Sequence, residues 1–358
     1  MTPSLFLNTV LREFYSGVHG FDHDNYDQVR YSWDGVDRSK TFDLARHADY
    51  LALFVRQHEA FFATWLLLGD DVSRERFKRL ILYRLLGHLH LRINDDATAS
   101  KDRAYHQTAQ GWQTGASALP VGGMFGALQH FENVEFDDHR LRVDCWAVNV
   151  VLTFLRRQYF LDRNGVRIRP EPGDTVIDAG ACLGDTAVAF AAAVGREGRV
   201  FAFDPLPTHV MATRHNVAQN GFAGRVAAIP LALGNATRNT DRKVADHDGT
   251  ASPGFSISGK EDWIPLTTID DFVAAEKPGR VDFIKMDIEG AELAALEGAA
   301  KTLIRDRPKL AISLYHRPTD FITIPRLLAT MLPDYEFHLE HYTIHQEETV
   351  LYGCPRRR

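Results

Sequence analysis

Gly173-Asp174-Thr175-Val176-Ile177-Asp178-Ala179-Gly180-Ala181-Cys182-Leu183-Gly184-Asp185-Thr186 decides how the chain is read. Thr175, Val176 and Ile177 are a short β-branched run, which suits a buried parallel strand. Asp178 ends that run. Gly180 and Gly184 follow, and a helical pattern starts at Asp185 and runs through Ala187–Val194. The stretch reads as strand, glycine turn, helix. Glycine lets the backbone approach a ligand closely, and a helix start offers N–H groups and the positive end of a dipole. A dinucleotide site wants G-x-G-x-x-G with no acid inside the turn. Here the pattern is Asp178-x-Gly180-x-x-x-Gly184, with an acid at the strand end. A tight turn that holds no ligand is the alternative reading at this point.

Outward from this turn, β and α patterns alternate, as in a parallel sheet covered by helices. A second strand is Val200–Phe203, ending at Asp204, and a helix follows over Thr208–Ala218. A third strand spans Val226–Leu231 and a fourth spans Val281–Met286, ending at Asp287. Leu293, Leu296, Ala300 and Leu303 then share one face of a helix. A fifth strand is Leu310–Leu314, followed by Tyr315, His316 and a helix over Ile324–Met331. Glu336–His341 and Thr349–Tyr352 complete the pattern as an antiparallel hairpin at the sheet edge. The long polar segment 234–262 is read as a lid, since loops of that length in compact domains are usually functional or disordered.

Ligands of open α/β sheets bind beyond the carboxyl ends of the strands. Asp178, Asp204, Asp287 and His316 stand there, and core packing does not require ionisable groups at those places. An acid at the end of the first strand suits a cofactor that carries an ammonium group, as S-adenosylmethionine (SAM) does. Asp204 is placed to bond ribose hydroxyls, although it could equally cap the next helix. In Lys285-Met286-Asp287-Ile288-Glu289-Gly290-Ala291-Glu292, a lysine inside a buried strand is costly unless paired. His316 can take a proton near neutral pH. Asp287, Glu289 and His316 could also present ligands to Mg²⁺.

The first 150 residues read as a mainly helical extension, and 151–358 as the sheet domain. An opening helix lies near Leu5–Tyr15, and the pattern from Thr41 to Leu68 is helical. Ser73 is read as the cap of a further helix that stops at Gly87. Residues 94–126 are polar and small and read as loops. Val134–Phe136 and Leu141–Val143 flank a hairpin turn, and Trp146–Phe160 reads as a helix. The 358 residues carry a net charge of −6 and are 45% apolar. That is an ordinary soluble composition, and nucleic-acid binding is not expected from an acidic chain. No segment is apolar for the length a bilayer requires, and no signal peptide is read at the N-terminus. Cys145, Cys182 and Cys354 lie far apart, so reduced cytoplasmic thiols are expected.

Val176–Thr186, Phe203-Asp204-Pro205, Leu266–Asp271, Asp282–Glu292 and Ser313–Pro318 together resemble the FkbM-type SAM-dependent methyltransferases. The K-x-D-x-E-G-x-E block is the most specific of these, and the likeness covers about residues 155–353. It implies a class I, Rossmann-like methyltransferase fold with a mostly parallel seven-stranded sheet. It also implies O-methylation, often of sugar hydroxyls in glycans or glycosylated natural products. Asp178, Gly180, Ala181, Gly184, Asp185 and Thr186 would then hold the methionine end of SAM, and Asp204 with Pro205 the ribose. Asp287 would lie near the transferred methyl, with Lys285, Glu289 and His316 as its catalytic neighbours. The acceptor is a glycan or a small molecule, and a homodimer formed through residues 1–150 is a further expectation. A nicotinamide-dependent oxidoreductase and a non-catalytic SAM-binding module are the competing classes.

Overall fold

The computed structural model describes residues 1–17, 44–88, 90–93, 96–121, 126–239, 246–247, 250–251 and 265–356. The aromatic stretch after residue 17, most of the segment read as a lid, and Arg357–Arg358 lie outside these. The central sheet has strands β1 (Thr175–Ala179), β2 (Arg199–Phe203), β3 (Val226–Ile229), β4 (Phe283–Met286), β5 (Lys309–Ser313), β6 (Tyr335–His341) and β7 (Thr349–Pro355). It is seven-stranded, in the order β6-β7-β5-β4-β1-β2-β3. β4 runs parallel to β5 and β1, and β2 runs parallel to β1 and β3. The link between β6 and β7 is too short for a parallel crossover, so these two close the edge as an antiparallel hairpin. This is the class I methyltransferase fold. β1 is buried along its whole length, as its β-branched run requires.

Contacts divide the chain into two units. The first comprises Met1–Lys101, Leu314–Thr330 and Glu336–Leu351; the second comprises Asp102–Ser313, Met331–Tyr335 and Tyr352–Arg358. The hairpin near residue 140, which lies before the boundary expected at 150, therefore groups with the second unit.

The first unit is built from helices Pro3–Gly17, Leu44–Arg56, His58–Leu67 and Asp71–Leu86. The helical pattern over 41–68 is thus two helices, parted at Gln57, whose φ of −112° leaves the helical region. Aromatic rings fill the core: Phe54 meets Phe61 at 5.3 Å, and Phe77 meets Phe321 at 5.5 Å. The cap of the fourth helix is Asp70, not Ser73, because the Asp70 carboxylate accepts the Ser73 N–H at 2.6 Å. Ser73 sits inside the helix and accepts the Leu339 N–H on its Oγ at 2.8 Å.

Residues 96–112 are a helix rather than a loop, and from Asp102 on they belong to the second unit. It leads into an antiparallel three-stranded sheet of Gln113–Ala116, Gln129–Phe136 and His139–Cys145. The expected helix over 146–160 is short: three residues of α-helix pass into a π-helix at Val150–Leu155. The helix after β4 is broken into Glu292–Glu297 and Ala300–Asp306. The break is at Gly298, where a Cβ would stand 2.1 Å from the Gly234 carbonyl oxygen. No helix among the described residues is long and apolar enough to cross a membrane.

Candidate active site

The glycine turn after β1 is closed against its neighbours on two sides. Gly180 has φ +80°, and a Cβ there would lie 1.8 Å from the Asp287 carbonyl oxygen. Gly184 has φ +84°, and its Cβ would meet the Thr213 Cα at 2.6 Å. Both positions need glycine for conformation and for space. The N–H groups of Gly180 and Ala181 donate to the Phe203 carbonyl, each at 2.9 Å, and Gly184 N–H donates to Ala181 at 2.7 Å. The turn is therefore tied to the end of β2 by its own backbone. Cys182 stands in the same turn with φ +48°, and burial pushes its thiol well above the ordinary range, which suits a spacer and not a nucleophile.

Lys285 lies directly opposite Asp178 in the β4–β1 register. Its Nζ is 3.1 Å from Asp178 Oδ1 and donates to the carbonyls of Ala179 at 3.2 Å and Gly180 at 2.6 Å. Lysine has three N–H donors, so these contacts use them all. Asp178 also accepts from Thr186 Oγ1 at 2.7 Å. Asp178 is 0% and Lys285 2% exposed, so the pair is dry. Burial opposes the lysine charge, but Asp178, Asp287 and Asp185 outweigh it and hold the ammonium above its ordinary value. Lys285 thus works as a fixed positive charge that clamps the turn.

The remaining acids are also held. Asp204 accepts from Cys182 N–H at 2.9 Å, Leu206 N–H at 3.0 Å and His209 Nδ1 at 3.1 Å. It therefore ties the glycine turn to the entry of the helix Pro207–Gln219, whose N-cap position is Leu206, with Pro205 half-buried beside it. Asp185 accepts from Asn149 Nδ2 at 3.1 Å and Thr153 Oγ1 at 2.5 Å. Burial raises its carboxyl above the usual range, against these two hydrogen bonds. Asp287 is half-buried and accepts from Tyr159 Oη at 2.7 Å, while its N–H donates to Ala179 at 3.0 Å. Glu292 is buried and accepts the Ile288 N–H at 2.7 Å. Glu289 is exposed, with φ +56°, at the tip of the turn after β4. His316 belongs to the first unit, half-buried, with its ring 4.1 Å from that of Tyr315.

Asp178, Ala181, Asp185, Thr186, Lys285 and Asp287 are thus gathered at the carboxyl ends of β1 and β4, with Asp204 closing the side at β2. Asn149, Thr153, Tyr159 and His209 join them without any sequence expectation. Polar Asn149 and Thr153 inside the apolar run Val148–Leu155 were the available signal. Carboxylates outnumber the single lysine, and buried negative charge is costly unless matched. The cluster therefore suits a ligand that brings positive charge.

Residues 178–345 match the family model of the methyltransferase FkbM domain. Among solved structures, a methyltransferase FkbM from Methylobacillus flagellatus is 22% identical with a TM-score of 0.54, and the match covers 85% of this chain. The chain spans 60% of that relative's length. An O-methyltransferase from Bacillus cereus in complex with SAH is 13% identical with a TM-score of 0.35, covering 74% of this chain and 93% of that one. A SAM-dependent O-methyltransferase from Thermotoga maritima is 15% identical with a TM-score of 0.31, covering 52% and 62%. The first likeness bears on the fold; the other two scores are too low to add to it. No curated protein matches the sequence.

Proposed function

Residues 178–345 form a methyltransferase domain of the FkbM family, and on that premise we propose that the protein moves a methyl group from SAM to a sugar hydroxyl. The acceptor is a glycan or a glycosylated natural product. The observation that carries this reading is the excess of buried carboxylate around Lys285, set beside a turn where Gly180 has no room for a Cβ. Negative charge in excess of its protein partners suits a cationic cofactor.

SAM, when bound, supplies a methyl group activated by its sulfonium. The chain's own part is to bind, align and exclude water. Asp178 acts through Lys285, which holds the turn in shape. The first N–H groups of the helix at Asp185 and Thr186 receive the cofactor carboxylate, because the earlier N–H groups of the turn bond Phe203, Asp204 and Ala181. Gly184, left-handed at the cap of that helix, and Ala181, which accepts its N–H, would set those groups in place. Asp204 and Pro205 take the ribose, since three hydrogen bonds leave a carboxylate one further acceptor site. Asp287 would serve the methyl end of the cofactor, Glu289 would meet the acceptor from the exposed turn, and His316 would take the acceptor proton.

Calorimetry with SAM, with its demethylated product SAH, and with NAD tests the cofactor. Binding of SAM and SAH is expected, with none of NAD. A protein that binds neither, or prefers NAD, would sink the reading. Release of SAH in the presence of a panel of sugars then tests the acceptor. Mg²⁺ at Asp287, Glu289 and His316 has no part in this scheme; turnover that stops on chelation would restore it. Cytoplasmic location is a proposal that rests on the wide spacing of Cys145, Cys182 and Cys354 along the sequence, and a homodimer through residues 1–150 is a proposal that sedimentation decides.

A further inference from the structure

Tyr159 is held in a conformation that a bulky residue rarely adopts. Its φ is +73°, and Arg157 two residues earlier has φ +55°. Left-handed backbone at a non-glycine residue is strained and persists only where the surroundings enforce it. They do so here. Tyr159 N–H donates to Tyr352 Oη at 3.0 Å, and the side chain is 3% exposed. The ring lies 5.2 Å from Lys285 Nζ, a cation–π distance. Gln158 Nε2 donates to the phenol oxygen at 3.1 Å, and the phenol donates to Asp287 Oδ2 at 2.7 Å. The amide occupies the acceptor side of the phenol, so the O–H is directed at the carboxylate. Mere core filling would need neither this backbone nor this direction.

We propose that Tyr159 is a positioning residue for methyl transfer, fixing the Asp287 carboxylate for the positive charge of the cofactor. The inference rests on the reading of Asp287 given above. A hydrogen bond to a charged group is among the stronger ones and sets geometry as well as energy. Without it the carboxylate loses its orientation, and only a ligand with a cation at that point is affected. The ligands SAH, neutral at sulfur, and sinefungin, which carries an amine where SAM carries its methyl, separate the two effects.

Wild-type protein is expected to prefer sinefungin and SAM over SAH. Asp287→Asn should erase that preference. Tyr159→Phe keeps the ring and the backbone, so SAH affinity should stay within about twofold while the preference falls about tenfold. Gln158→Met should lower it in the same direction by less, and serves if Tyr159→Phe does not fold. A purely structural role would shift the melting temperature and leave the ratio of affinities alone. The inference is overturned if the wild type binds all three ligands and either Tyr159→Phe or Asp287→Asn keeps the full preference. If the wild type binds none of them, the cofactor reading itself falls.

Discussion

Asn216 pairs with the backbone of Asp144 as a neighbouring strand would. Its Oδ1 accepts the Asp144 N–H at 2.7 Å, and its Nδ2 donates to the Asp144 carbonyl at 2.9 Å. One helical turn later Asn220 does the same to Arg142, at 2.9 and 2.7 Å. The two amides close the outer edge of the three-stranded sheet, which would otherwise present unpaired N–H and C=O groups. Asn216 is 0% exposed and its Nδ2 also donates to the Leu183 carbonyl at 2.8 Å, so Asn216→Ala takes a partner from three buried backbone groups. A loss of about 2–4 kcal/mol is expected by urea unfolding. The exposed pairing of Asn220 should cost under about 1 kcal/mol when removed, because water replaces it. Equal costs at the two positions would contradict this account.

Lys285→Met should destabilise the protein by about 3–5 kcal/mol, since it leaves Asp178 charged and buried without an opposite charge, keeping the hydrogen bond from Thr186. Adding Asp178→Asn should recover much of the loss. The pH dependence has a definite sign. The folded lysine titrates above its ordinary value of 10.5, so the folded state holds its proton more tightly. Its contribution is complete below that value and is lost as pH rises through the folded value. The stability gap between wild type and Lys285→Met should therefore be flat from neutral pH to the ordinary lysine range, and shrink beyond it.

The parts of the site that could be read in advance are those where one residue type has few uses. Lysine in a strand and acids at strand ends stand out because packing does not ask for them. Glycines at 180 and 184 stand out because the turn leaves no space. The helix at 96–112 was hidden for the opposite reason. Among its described side chains Ala109 is the buried one, so it has no apolar stripe and its periodicity is silent. Tyr159 was hidden by the π-helix before it. That geometry breaks the 3.6-residue spacing, and the turn at Arg157–Tyr159 is made without glycine or proline. Asp204 reads as a ribose ligand or a helix cap; it bonds the N–H groups of Leu206, just before the helix, and of Cys182 in the turn, which position alone cannot reveal.

Asp185→Asn should stabilise the protein without ligand at neutral pH. Burial raises the folded carboxyl above its ordinary value of 3.8, so the folded state binds a proton where the unfolded chain has lost it. Stability from this group therefore falls as pH rises through that window, and the charge is a cost at pH 7. The amide keeps an acceptor for Thr153 and removes the charge. A gain of about 1 kcal/mol is expected by thermal unfolding at pH 7, vanishing below about pH 4. The same variant should bind SAM more weakly, because a negative charge that matches the cofactor's cation is lost. A variant that is less stable at pH 7 would show that the hydrogen bonds from Asn149 and Thr153 outweigh the charge.

Gly180→Ala separates space from conformation when set beside Gly195→Ala. Gly195 has φ +68°, and an added Cβ there meets nothing within 4 Å. With ψ at −161° this backbone is almost exclusively glycine's, so alanine at 195 should cost about 1–3 kcal/mol, the backbone term alone. At 180 the Cβ must also displace the Asp287 carbonyl from a distance of 1.8 Å. Overpacking of that kind adds about 1–3 kcal/mol. It also pushes β4 away from β1 at the place where Asp287 N–H bonds Ala179, 3.0 Å apart. Denaturant melts should rank Gly180→Ala as clearly worse than Gly195→Ala, and SAH binding should be lost in the first and kept in the second. Comparable melts with binding intact in both would mean that the strands can part without consequence, and that the close approach of Gly180 to Asp287 does not shape the site.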